Sequence, residues 1–283
     1  MWFLKKSKGG DNLEPLIITV APVGAEATRQ DNPNLPLTPR EIANEAIRCA
    51  EKGASIIHLH VRDKDGNATQ AKDIFQETIA LIKENSDVII QTSTGGASWM
   101  TADERLQPIE LKPEMATLTT GTVNFGEEIF SNPMPMVELF AKAMVAQGVK
   151  PEIEVFEVGM IYNALRLVQK KILQLPLHFD FVMGVPGGIP GEARHLLHLI
   201  ESIPAGATWT VAGIGRSELS LGTMAIVIGG HVRVGFEDNV YYTKGVLSDG
   251  NFQLVERIAR IAKEIGRPVA TPEQARRILG LAQ

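Results

Sequence analysis

The sequence has a single cysteine, Cys49, which excludes an intramolecular disulfide framework and suits a reducing compartment. Cys49 sits in a helical pattern and is expected to pack. No apolar run reaches the ~18 residues of a membrane span. The opening MWFLKKSKGGDN offers only Trp2, Phe3 and Leu4 ahead of Lys5 and Lys6, too little for a secretory signal core. Basic charge is not in excess: 28 Lys and Arg against 33 Asp and Glu leave a net charge of -5. That balance supplies no field for nucleic-acid phosphates or anionic lipid. Domain linkers, low-complexity tracts and solenoid-period repeats are missing as well. The expectation is a cytoplasmic globular protein with small-molecule partners.

What is present is rhythm. Strand-like runs recur at LIITVAP (16–22), ASIIHLHV (54–61), DVIIQTST (87–94), MATLTTG (115–121), EIEVFEV (152–158), LHFDFVMG (177–184), ATWTVAG (207–213) and HVRVGFED (231–238). Helical segments lie between them. In TPREIANEAIRCAEKG, Thr38 and Pro39 suit the N-cap and first helical positions, and Gly53 suits the stop. Eight alternations predict an α/β protein of the (β/α)8 barrel type over 14–283, preceded by a loose extension over 1–13. The doubly wound alternative lacks a GxGxxG after its first strand; AGIGR (212–216) holds only G-x-G.

A barrel places its chemistry at the C-terminal ends of the strands. Strict alternation puts Ile56, His58, His60 and Arg62 on one face of the second strand and Ile57, Leu59 and Val61 on the other. The two imidazoles then project inward, close enough to share one ion, or they are simply hydrogen-bonded core histidines. A third ligand is offered by the eighth strand, where Arg233, Gly235 and Glu237 share a parity. The alternative for Glu237 is a structural bridge to Arg233. The same alternation turns Asp238 away from the centre, so it joins the site only if the chain bends.

Other strand ends add Gln91 and Ser93, the amides of Thr94-Gly95-Gly96, Thr117 with Thr119, and Glu152 with Glu154. Glu26 and Arg29 lie in the long loop after the first strand. GVPGGIPG (184–191) and GIGR fall where barrels place phosphate-binding amides, although glycine serves turns equally well. His178, His195, His198 and His231 are expected to be structural.

Taken in order, GAEATR–NPNLPLTP, IIHLHVRDKDG, QTSTGG, LKPEMATLTTGTVNFG, PEIEVFEVGM, GVPGG, AGIGR and GHVRVGFEDN resemble the β-keto acid cleavage enzymes, from Glu14 onward. The resemblance implies a zinc-dependent barrel, usually a homotetramer, that converts a β-keto acid and acetyl-CoA into acetoacetate and a new CoA thioester. It implies zinc on His58, His60 and Glu237, and Asp238 as base, held by Arg233. Ser93, Gly95, Gly96 and Thr117 would hold the keto acid, Glu154 would line the pocket, and Glu26 would meet a substrate amino group. An amino-bearing substrate, 3-keto-5-aminohexanoate of lysine fermentation, follows from GAEAT. Two rivals stand beside this expectation. A hydrolase of the amidohydrolase kind also uses H-x-H, but on its first strand and with further histidines at later strand ends. A catalytically silent barrel would use the metal for stability or bind small acids as a sensor.

Overall fold

The computed structural model describes residues 14–281. The expected extension over 1–13 lies outside them. Eight parallel strands close into a barrel: β1 (Ile18–Val20), β2 (Ile56–Leu59), β3 (Ile89–Thr92), β4 (Met115–Thr119), β5 (Lys150–Val155), β6 (His178–Met183), β7 (Thr208–Gly213) and β8 (His231–Val234). Each pairs with its sequence neighbours, and β8 closes on β1 with Thr19 opposite Arg233. All eight expected runs are barrel strands. Each strand is trimmed relative to its run, and two differ most: β5 starts earlier, at Lys150, and ends at Val155, and β8 stops at Val234 rather than 238.

Helices α1 (Pro39–Glu51), α2 (Lys72–Lys83), α3 (Ala102–Leu106), α4 (Met134–Gln147), α5 (Val158–Gln169), α6 (Ala193–Ser202), α7 (Glu218–Ile228) and α8 (Asn251–Glu264) run between and after the strands. The start of α1 is fixed as expected. Thr38 accepts from the Glu41 amide, the Glu41 carboxylate accepts in return from the Thr38 amide, and Pro39 holds the first position. Gly53, at φ +112°, turns the chain toward β2. Cys49 is fully buried in the packing between α1 and the sheet, as expected.

Alternation in β2 sorts the side chains. Ile57, Leu59 and Val61 enter the large apolar layer beneath the helices. Ile56 faces the lumen instead, where it joins Ile17, Ile89 and Met115 at the strand starts. A further helix, α9 (Pro272–Leu279), lays Ala275 and Leu279 on those four residues and closes that end of the barrel. Three short hairpins not legible in the strand rhythm rise at the other end: Val61–Arg62 with Ala68–Thr69, Val123–Phe125 with Glu128–Phe130, and Tyr241–Thr243 with Val246–Leu247. No helix among the described residues is long and apolar enough to cross a membrane.

Candidate metal and substrate site

His58 and His60 arrive at the C-terminal end of the lumen with ring centroids 5.2 Å apart. His58 Nδ1 lies 2.7 Å from Gln91 Oε1, its partner across the β2–β3 pairing. A carboxamide oxygen only accepts, so the proton sits on Nδ1 and the Nε2 lone pair is free. That Nε2 is buried and has no hydrogen-bond partner. Burial holds the His60 pKa down to about 4, so this ring is neutral. The His58 pKa is raised: burial and Arg233 lower it, but Glu237 and Gln91 outweigh them.

Glu237 completes the group, with Oε1 at 3.6 Å from the Nε2 atom of each histidine. The donor atoms of the three residues all lie within 4.8 Å of one another. Glu237 Oε2 is also buried without a partner. Burial alone would raise this carboxyl, but Arg233, His60 and His58 hold it well below the usual range. Two imidazoles and a carboxylate, with His58 Nε2 and Glu237 Oε2 left unsatisfied, fit a divalent ion.

Glu237 does not reach this position by alternation. The strand ends at Val234, and Gly235 adopts φ +145°, with the Ala21 carbonyl where a Cβ would stand. A turn follows in which the Asp238 and Asn239 amides both donate to Gly235 O, at 2.9 and 2.8 Å. Glu237 is thus brought beside the histidines by a turn and not by the expected parity of Arg233, Gly235 and Glu237. The same turn supplies the bend that Asp238 needed.

Asp238 is held bidentately by Arg233, Nε to Oδ2 and Nη2 to Oδ1, both at 2.9 Å. Arg233 also donates to Glu237 Oε1 at 2.6 Å and to Asp180 Oδ2 at 3.4 Å. The bridge between Arg233 and Glu237 is thus real and coexists with the histidine contacts. Burial raises the Asp238 pKa although Arg233 pulls it down, and Glu237 adds to the rise. Desolvation outweighs the Arg233 charge.

These groups open into a cavity of about 260 Å³ lined by Glu26, His60, Ser93, Gly95, Gly96, Glu154, Arg233, Glu237 and Asp238 on its polar side. The opposite wall is apolar, built on Phe125, Phe130 and Phe156, whose rings meet edge to face. The first two belong to a hairpin that the strand rhythm did not show. Thr117 is brought close but does not line the cavity: its Oγ1 accepts from the Thr94 amide at 3.2 Å, and it shapes the QTSTGG loop from beneath. The Gly95 amide donates to Ser93 Oγ at 3.0 Å, so the two expected substrate contacts are already joined to each other. Glu154 accepts from Thr119 Oγ1, and burial raises its pKa.

Arg62 shares the inward parity of the histidines, yet sequence assigned it no task. Its guanidinium donates to the carbonyls of Gly24 (2.8 Å), Ala27 (2.9 Å) and Gly66 (3.0 Å), clamping the loop on either side of Glu26. Arg29, in the same loop, turns to Glu41 at 2.8 Å. The glycines of GVPGG serve close packing. A Cβ on Gly187 would stand 2.3 Å from Asn124 O. His178 and His231 are buried among protein partners, as expected, so the further histidine ligands of an amidohydrolase are lacking among the described residues.

Comparison with known proteins agrees with this geometry. The chain is 56% identical over 271 residues to the 3-keto-5-aminohexanoate cleavage enzyme of Fusobacterium nucleatum, covering 95% of this chain and 99% of that protein. It is 39% identical to the 3-oxoadipate:acetyl-CoA acetyltransferase of Cupriavidus necator, with 95% of each covered. Among solved structures, ObcA in ternary complex with a C4-CoA adduct and oxalate superimposes with a TM-score of 0.75 at 22% identity, covering 88% of this chain and 68% of that one, a likeness of fold. The family description "beta-keto acid cleavage enzyme" matches residues 15–281, the span that builds the barrel and its histidine-lined mouth, and the chain belongs to that family.

Proposed function

We propose that the protein is a zinc-dependent acyltransferase that takes a β-keto acid, 3-keto-5-aminohexanoate, and acetyl-CoA to acetoacetate and 3-aminobutyryl-CoA. The observation that carries this is the meeting, in one cavity, of three metal-ligating donors with an arginine-held carboxylate. Relatives whose names contain the amino keto acid and acetyl-CoA support the same substrates.

His58, His60 and Glu237 would hold the ion, which when bound supplies Lewis acidity toward a carbonyl oxygen and so acidifies the carbon beside it. Asp238 is the group that accepts the proton from that carbon. Its raised pKa strengthens it as a base, and the two Arg233 bonds fix its oxygens in place. Ser93, with Gly95 and Gly96, stands where the acid's carboxylate would be held, and Thr117 keeps that loop in shape. Glu26, exposed at the cavity rim, would pair with the substrate ammonium, an attraction that a keto acid without the ammonium lacks. The apolar phenylalanine wall excludes water from the reacting carbons. No covalent nucleophile is required, in keeping with Cys49 far down in the core.

The proposal extends to lysine fermentation as the setting, the cytoplasm as the compartment and a homotetramer as the assembly. The decisive experiment measures acetoacetate from acetyl-CoA with a panel of β-keto acids, with and without chelator, and with elemental analysis of the metal. Turnover of the amino keto acid, abolished by chelator, is expected. Failure of every keto acid in zinc-loaded protein overturns the proposal.

A further inference from the structure

The turn Gly235–Asn239 has no repeating secondary structure, yet it carries the two carboxylates on which the site depends. Every backbone N–H in it has an acceptor. Gly235 donates to Glu218 Oε2 at 3.2 Å and Phe236 to Asn251 Oδ1 at 2.7 Å. Glu237 donates to Ala21 O at 3.2 Å, and Asp238 and Asn239 to Gly235 O. Two of these acceptors are side chains from other elements, α7 and α8.

Glu218 does more than cap one amide. Its other oxygen, Oε1, accepts from Asn239 Nδ2 at 3.0 Å, so one carboxylate joins the first and last residues of the turn. It is 1% exposed, and its one cation among the described residues, Arg257, stands at 3.5 Å. Burial pushes its pKa up to about 8, against the donors of Asn239, Gly235 and Arg257, which favour the ionised fork. Asn239 is locked in the matching orientation because its Oδ1 accepts from the Tyr241 amide at 3.0 Å. A short fork with two acceptor atoms satisfies both demands. A glutamine offers one acceptor and sets its own NH2 against that of Asn239; an alanine offers neither.

We propose that Glu218 is a positioning residue that sets where Glu237 and Asp238 stand by bridging the two ends of their turn. The proposal rests on Glu237 as a metal ligand and Asp238 as the base. Outer groups of this kind, which hold a ligand without touching the ion, typically change metal affinity or activity by 10–100-fold when altered. Glu218 differs from them in acting on the backbone rather than on the ligand's own atoms. A mere α7–α8 ion pair would have no reason to reach Gly235 or Asn239.

The test uses E218Q and E218A in the full chain. Zinc affinity is measured by competition with a chromogenic chelator, kcat and KM with the amino keto acid, and amide exchange across residues 233–240. E218Q is expected to weaken zinc binding and lower kcat by roughly tenfold or more, with KM within about threefold of wild type and the melting temperature little changed. E218A should show the larger loss; if it does not fold, E218Q carries the test alone. Wild-type zinc affinity and kcat in a folded E218Q overturn the proposal. If the unaltered protein takes up no metal ion, the metal reading fails separately, and exchange decides: faster exchange confined to 235–239 in E218Q supports the bracket, and unchanged exchange overturns it.

Discussion

Two pairs of histidines are buried inside the same barrel, with ring centroids 5.2 Å apart for His58 and His60 and 6.2 Å for His178 and His231. By burial and spacing they are alike. Their nitrogens differ. His178 meets Thr208 Oγ1 at 2.8 Å through Nδ1, and Thr210 Oγ1 at 3.2 Å and Glu152 at 3.1 Å through Nε2. His231 Nδ1 accepts from the Ile17 amide at 3.1 Å, and its Nε2 faces the Glu14 carboxylate at 3.9 Å. His58 commits only Nδ1 and leaves Nε2 without a partner. A buried histidine with its nitrogens matched belongs to the frame. One with a nitrogen held in a fixed direction and unmatched is prepared for something not yet there.

The largest effect that separates the pairs is expected from His60→Ala, which removes a metal donor and should abolish both metal content and acetoacetate formation, as chelator does; elemental analysis and the acetoacetate assay read both. Asp238→Asn should keep the metal but lower kcat by about 10²–10⁴-fold, because a general base is lost. Metal loss in Asp238→Asn would show that the two carboxylates cannot be separated. His178→Ala should leave metal content unchanged and destabilise the fold by about 3–5 kcal/mol, since Glu152 then stays buried without its partner. Urea unfolding measures this, and metal loss in that variant would erase the contrast.

The next effect concerns pH. Burial, with His178 and Arg267 adding to it, holds His231 well below its ordinary 6.5. The folded state therefore binds fewer protons than the unfolded chain as pH falls below 6.5, and stability should decline there by up to about 1.4 kcal/mol per pH unit. His231→Asn should lack this part of the slope in unfolding titrations between pH 6.5 and 5. The smallest effect is expected from Thr271→Ala, which removes the N-cap of α9: about 1 kcal/mol of stability and no change in kcat.

Much of this was legible in the sequence because strands alternate and barrels close. Period-two patterning separated Ile57, Leu59 and Val61 from His58 and His60, and closure made Glu237 a plausible neighbour across β1. Parity failed where the strand stopped. Gly235 takes a backbone angle that no alternation rule contains, so the orientation of Asp238 was invisible until the turn was seen. Thr117 was misjudged because sequence shows which way a side chain points but not whether a neighbouring amide already occupies it. Arg62 and Glu218 went unassigned for a related reason: Arg62 meets backbone carbonyls and Glu218 meets the Gly235 amide beside Asn239, and backbone atoms carry no letter.

Helix α9, lying across Ile17, Ile56, Ile89 and Met115, gives the lumen a floor. A vessel with a floor has one doorway. A small acid and a long thioester must both pass through it, and so must what they become. The side from which the proposed site is reached is thus set by a helix that carries none of its residues.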